Sequence, residues 1–134
     1  MPSTTRRLRV VAVLAAVLVL TAACTDDDSS GENAVRAFGD VQATEFEFEA
    51  DPMDATRGVF RVETTEPMIC AIVWGETESL GRLNNSQSMN GSGIVAHNVL
   101  LPDVEPGREY HFIVQGTTAD GTLYRSDPGT FTIP

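Results

Sequence analysis

Lysine is absent from this chain of 134 residues, and its 9 basic residues, all arginine, face 19 acidic ones. Three of the arginines (Arg6, Arg7 and Arg9) stand near the N-terminus, so from Cys24 onward six remain against nineteen acids, a net charge of −13. A surface this acidic repels phosphate backbones and anionic headgroups. It argues against a nucleic-acid partner and against attachment to a membrane through a basic patch. Cysteine and histidine are scarce, at two each. Two histidines do not supply a binuclear metal centre built from several Asp, Asn and His ligands. The chain has no Cys-x-x-Cys pair, nucleophile elbow or phosphate loop. Its longest unbroken apolar run, residues 10–20, is 11 residues long and too short to span a bilayer as a helix.

That run has a second reading. It follows a start with three arginines and no acid, and Leu20-Thr21-Ala22-Ala23-Cys24 comes directly after it. A charged start, a short apolar region and small residues before a cleavage point make a secretory signal. An ordinary signal ending at Ala22-Ala23 would use the same features, but the cysteine that follows favours a lipoprotein. The stretch resembles the bacterial lipobox, with Thr21 where leucine is usual and Leu20 one residue early. The resemblance implies that residues 1–23 are removed and that Cys24 carries acyl groups as the mature N-terminus. The chain would then be lipid-anchored to a cell membrane on its extracytoplasmic side. Arg6-Arg7 also raises the twin-arginine export route, without its usual polar and aromatic context.

Residues 24–41 begin with an acidic stretch containing Ser and Gly, which predicts an extended, solvated tether. Asp26-Asp27-Asp28 lacks the spaced ligand loop of a calcium site and reads as a solvated charge run.

Residues 42–134 show period-two patterning and no helical period. Glu45-Phe46-Glu47-Phe48-Glu49 puts both rings on one face and the carboxylates on the other. Phe60 and Val62 pair likewise, as do Cys70, Ile72 and Trp74, then Val99 and Leu101, then Tyr110, Phe112 and Val114, and finally Phe131 and Ile133. Turn signals separate these runs at Asp51-Pro52, Glu66-Pro67, a polar loop over residues 84–93, Pro106-Gly107, Asp120-Gly121 and Asp127-Pro128-Gly129. About seven short strands at this spacing predict an all-β fold, a seven-stranded antiparallel β-sandwich.

The segment Leu101-Pro-Asp-Val-Glu-Pro-Gly-Arg-Glu-Tyr110 is similar to the approach to strand F in fibronectin type III domains, which are immunoglobulin-like. Thr64-Thr65-Glu66-Pro67, Ile72-Val73-Trp74-Gly75 and Gly129-Thr-Phe-Thr-Ile-Pro134 extend the likeness to the N-terminal domain of purple acid phosphatases. The resemblance implies structural roles for Trp74, Pro106, Gly107 and Tyr110, the last as a tyrosine corner whose hydroxyl bonds upstream backbone. Val62 replaces the family's strand-B tryptophan, and Trp74 replaces a tyrosine. The phosphatases keep their chemistry in a second, larger domain, so the resemblance carries no catalytic residue over.

Three side chains remain as chemical candidates. Cys70 has no cysteine partner if Cys24 is acylated, and an apolar setting would make its thiol unreactive. His97 and His111 read as structural and surface histidines. A soft-metal set of Met68, Cys70, Met89 and His97 competes with the simpler reading of Met68 and Cys70 as core residues on one strand face. The sequence therefore implies no enzyme, no metal and no cofactor. It points to an envelope binding or interaction module whose partner is an envelope protein or a carbohydrate. The alternatives are an accessory domain for a separately encoded envelope hydrolase of acid-phosphatase type and a metal-handling lipoprotein.

Overall fold

The structure, a computed structural model, describes residues 34–87 and 92–134. The signal, Cys24, Asp26-Asp27-Asp28 and Met89 lie outside them. The described chain is all-β. Its strands are β1 (Arg36–Ala37), β2 (Glu47–Asp51), β3 (Asp54–Gly75), β4 (Arg82–Asn85), β5 (Ile94–Pro102), β6 (Glu109–Thr118), β7 (Leu123–Arg125) and β8 (Gly129–Thr132), with one 3-10 turn at Phe38–Asp40. They form one connected sheet that is antiparallel except where β1 runs parallel to β7.

The strand β3 corrects the expectation of a turn at Glu66-Pro67, because it runs 22 residues through that point. Its first part pairs with β2 and β5, and its second part with β4 and β6. The register with β5 shifts between Glu63 and Met68. Proline has no N–H to give a ladder, so Pro67 fits this interruption without ending the strand. Thr64 bridges to Gln42 there instead of to β5. The polar loop is also shorter than expected. Asn84 and Asn85 belong to β4, paired with Ile72 and Ala71.

The sheet curls until its two parts face each other across an aromatic core. Phe48 on β2 stacks on Phe131 of β8 with centroids 4.1 Å apart, although the two strands share no ladder. Phe60, Ile72, Trp74, Val99, Leu101, Tyr110 and Val114 are fully buried between them. Period-two alternation delivers these residues to one side, as the sequence pattern requires. On β6 the spacing tightens at Gly116, whose missing Cβ leaves room for the Met68 sulfur beside the Phe38 ring.

The packed unit also begins earlier than residue 42. Phe38 is fully buried and Val41 nearly so, while Thr65 N–H donates to the Val41 carbonyl at 2.8 Å and Ala43 N–H to the Glu63 carbonyl at 2.8 Å. Residues 36–41, read from composition as tether, thus close one end of the core. The short segment between Asp40 and Glu47 then runs along the crossing region of β3.

At the other end, Gly107 takes φ +77° and donates its N–H to the Ile133 carbonyl at 2.8 Å. This left-handed turn needs glycine. Tyr110 is fully buried, and its hydroxyl accepts a hydrogen bond from Glu105 N–H at 2.8 Å. Tyr110→Phe leaves that partly buried N–H without its acceptor and should cost about 1–3 kcal/mol. In a domain this size the melting temperature falls by about 4–8 °C per kcal/mol, whereas exposed Thr117→Ala should shift stability by about 0.5 kcal/mol at most. Equal melting temperatures for the two variants would refute the role given to Tyr110. Phe38→Ala should cost about 3–5 kcal/mol by urea denaturation if residues 36–41 belong to the folding unit.

Candidate functional site

The reactive side chains are drawn into the fold. Cys70 faces inward between Met68 and Ile72 and is fully buried and unpaired. Burial pushes its thiol up to about 12, so the nucleophilic thiolate is not formed near neutrality. Met68 turns its sulfur to Gly116 and Phe38, in the ordinary manner of a core methionine. Among the described residues no group of three or more His, Cys, Asp or Glu side chains is placed to hold a metal ion.

His97 sits inward on β5 opposite Val62 and is 2 % exposed. Its Nε2 lies 3.1 Å from the Thr64 hydroxyl. That hydroxyl donates to the Glu66 carbonyl at 2.8 Å. Its single proton is therefore committed, and the oxygen accepts from His97, which assigns the Nε2–H tautomer. The other ring nitrogen, Nδ1, is buried and has no partner among the described residues. Burial holds the imidazole below its ordinary pKa, in the neutral form. The pair ties β5 to the crossing segment of β3, a contact between distant residues that no local pattern announces.

Trp74 and Tyr110 meet edge to face at 5.4 Å. The Trp74 indole N–H donates to Asn84 Oδ1 at 2.9 Å, and the Arg82 guanidinium lies 4.7 Å from the ring centroid. Arg82 also donates to the Pro102 and Asp103 carbonyls at 3.0 and 3.3 Å. Pro106 and Gly107 shape the turn above this cluster. Together these four sequence-selected residues organise one end of the domain and present no chemically reactive group to solvent.

The outer faces of the sheet differ in character. Beside β2, the first part of β3 presents Arg61 among Glu47, Glu49 and Glu63, with Arg61 paired to Glu49. Across β4, β3 and β6 the outer face instead carries the cross-strand row Leu83–Val73–Ile113. Leu83 is 55 % exposed. Beside the row opens a groove of about 660 Å³ lined by Leu80, Ile113, Pro128, Thr130, His111 and Glu78, among others. Leu80 enters it from a left-handed backbone at φ +58°, a conformation that costs a non-glycine residue about 1–2 kcal/mol. Sequence reading gave the alternation on β3 and β6 but not this row, because it placed no strand at Arg82-Leu83 and read Asn84 and Asn85, the second half of β4, as loop.

No family model, curated protein or solved structure matches the chain.

Two outcomes follow for the buried groups. Native protein should react slowly with a thiol reagent at Cys70 and unfolded protein quickly; fast labelling of the native state would place the thiol at the surface. The folded state holds His97 neutral while the unfolded state protonates it near pH 6.5. The unfolded state therefore binds more protons, and stability should fall as the pH drops through about 6.5 and return on raising it. His97→Gln should flatten that slope in denaturant midpoints, and an unchanged slope would clear His97 of the effect.

Proposed function

We propose that the chain is an exported lipoprotein, held to a membrane through acyl groups on Cys24, that presents a fibronectin type III-like sandwich as a non-catalytic binding module of the cell envelope. Residues 1–23 act as the removed signal. Among the described residues the first strand residue is Arg36. A dozen residues from Cys24 to that point reach about 40 Å at most when fully extended, so the domain works close to the membrane.

The sandwich reading has β2, the first part of β3 and β5 as one layer. The second part of β3, β4, β6, β7 and β8 form the other. Support comes from the pairing order, in which β3 exchanges one set of neighbours for another, and from the Tyr110 hydroxyl on Glu105 N–H. A tyrosine corner in that position is a feature of such sandwiches.

The observation that carries the non-catalytic reading is the fate of the two strongest nucleophile and base candidates. The Cys70 thiol is pushed up to about 12, and His97 is spent on Thr64 inside the core. A general base has to reach substrate, and a nucleophile has to ionise or meet such a base. Loops and outer strand faces on a rigid sheet are then the surface available for recognition. The partner class is an envelope protein or a carbohydrate.

Cys24→Ser should release the protein from the membrane fraction or leave the signal uncleaved; wild-type fractionation and migration of that variant would refute the anchor. The purified full chain should hydrolyse no phosphomonoester and carry no stoichiometric iron, zinc or copper. Either finding in carefully purified protein would overturn the non-catalytic reading.

A further inference from the structure

We infer that the cleft between residues 37–46 and the connection from β7 to β8 is a binding site for a neutral sugar ring, such as the terminal residue of a glycan. The inference rests on the reading of the chain as a binding module and selects the carbohydrate from its two partner classes. The cleft has a volume of about 450 Å³, within the roughly 300–1,000 Å³ of small-molecule sites. Phe46 and Phe112 supply much of its apolar lining, and Phe46 is only partly buried. The Phe46 ring is held by Phe38, Phe60 and Phe112, with centroids at 5.8, 5.7 and 5.6 Å. It is a fixed apolar surface that the core leaves partly open.

The polar groups of the cleft are the second observation. Ser126, between β7 and β8, donates its N–H to the Val114 carbonyl at 2.8 Å, and its hydroxyl accepts from the Val114 N–H at 2.9 Å. The connection is thereby pinned to β6. Its neighbours Arg125 and Asp127 both line the cleft. Arg57, Arg61 and Arg108 are each paired with a carboxylate, and Arg82 bonds backbone carbonyls. The Arg125 guanidinium has no such partner among the described residues, and neither has the Asp127 carboxylate, although the two are opposite in charge and two residues apart. Gln42 lines the same cleft. Its Nε2 donates to the Thr44 carbonyl at 2.8 Å, which fixes the amide and leaves Oε1 as an acceptor. Unpaired donors and acceptors thus stand together beside an apolar ring, on backbone that is already held.

This set of groups discriminates between ligands. An anion would meet Arg125 but also Asp127 and a chain with nineteen acids against six bases from Cys24 onward. A cation would meet Asp127 and be opposed by Arg125. A hydrocarbon would cover both charges without giving either a partner. A zwitterion would pair each charge once, at exposed positions where ion pairs are worth little. A neutral pyranose offers C–H groups to the electron-rich face of an aromatic ring. Its hydroxyls both donate and accept, so they take the Arg125 N–H groups and give protons to Asp127 and Gln42 Oε1. Hydrogen bonds to charged groups are the stronger kind. Gly39 also lines the cleft, and a Cβ added there would meet nothing within 4 Å. Neither close packing nor a left-handed backbone accounts for its missing side chain; an open wall does.

Saturation-transfer difference NMR on the full chain tests this, in a polyoxyethylene detergent because a glycoside detergent would itself compete. The probes are the methyl glycosides of glucose, galactose, mannose and N-acetylglucosamine, with glucose 6-phosphate and phenylalanine as charged comparators. At least one neutral glycoside should receive saturation at its ring C–H protons. Arg125→Ala and Asp127→Ala, at exposed positions, should each weaken that binding by about tenfold or more. Phe46→Leu keeps an apolar side chain against the core but removes the ring, and should lose the ring-proton signal while a cooperative melting transition shows the domain folded. Arg61→Ala removes an arginine from the outer face of β3 and should leave binding unchanged. Absence of transfer to every neutral glycoside overturns the inference. So does preferential transfer to glucose 6-phosphate or phenylalanine, binding that survives both Arg125→Ala and Asp127→Ala, or binding weakened equally by Arg61→Ala. None of these results bears on release from the membrane by Cys24→Ser, so the inference can fail while the anchored module stands with a protein partner.

Discussion

The ladder of β3 is the constraint on which the rest of the molecule depends. One run of 22 residues supplies the hydrogen-bonding partner of β2, β5, β4 and β6. Its inward side chains, from Phe60 and Val62 to Ile72 and Trp74, line the core along its whole length. Backbone groups that enter a core must be paired, and β3 meets that demand for both parts of the sheet at once. The change of neighbours at Thr64 to Pro67 turns one strand into a hinge line about which the sheet closes. Thr64 is consequently buried and bonded on several sides, to Glu66, to His97 and to the segment at Gln42.

Closure works because aromatic rings fill the space between the parts. Phe46, Phe48, Phe60, Phe112 and Phe131 make tilted, stacked and edge-on contacts with centroids between 4.1 and 5.8 Å. Large rings bury much area per residue, which matters in a domain of roughly 100 residues, where the margin of stability is small. Phe38 extends this cluster from outside the main strand sequence, meeting Phe46 at 5.8 Å. Core formation therefore draws in the segment nearest the proposed anchor.

The same economy explains the inert interior and the informative surface. Cysteine, histidine and methionine inside a small curled sheet are consumed as volume and as hydrogen-bond partners. The acidic charge collects on the outside, at Glu47, Glu49 and Glu63 on one outer face and at Glu78, Glu109 and Asp127 around the other.

The sequence by itself determined the all-β class, the inward faces of β3 and β6, and the left-handed turn at Gly107. Each rests on local chemistry, namely two-residue alternation or a backbone angle that one residue type tolerates. It also set out the charged start, apolar run and Ala22-Ala23-Cys24 from which the anchor is argued. Only the tertiary structure decided that Glu66-Pro67 is crossed without a turn, that Asn84 leaves the loop to receive the Trp74 indole, and that Phe38 and Val41 belong to the core. It alone placed Thr64 against His97, 33 residues apart. A proline beside a glutamate has the same local preferences in a turn as in an interrupted strand, and a single phenylalanine between Ala37 and Gly39 has no period to reveal its face. What resolves them is long-range: which strand lies alongside, and which cavity a ring can fill. Neither is encoded within the few residues over which sequence patterns act.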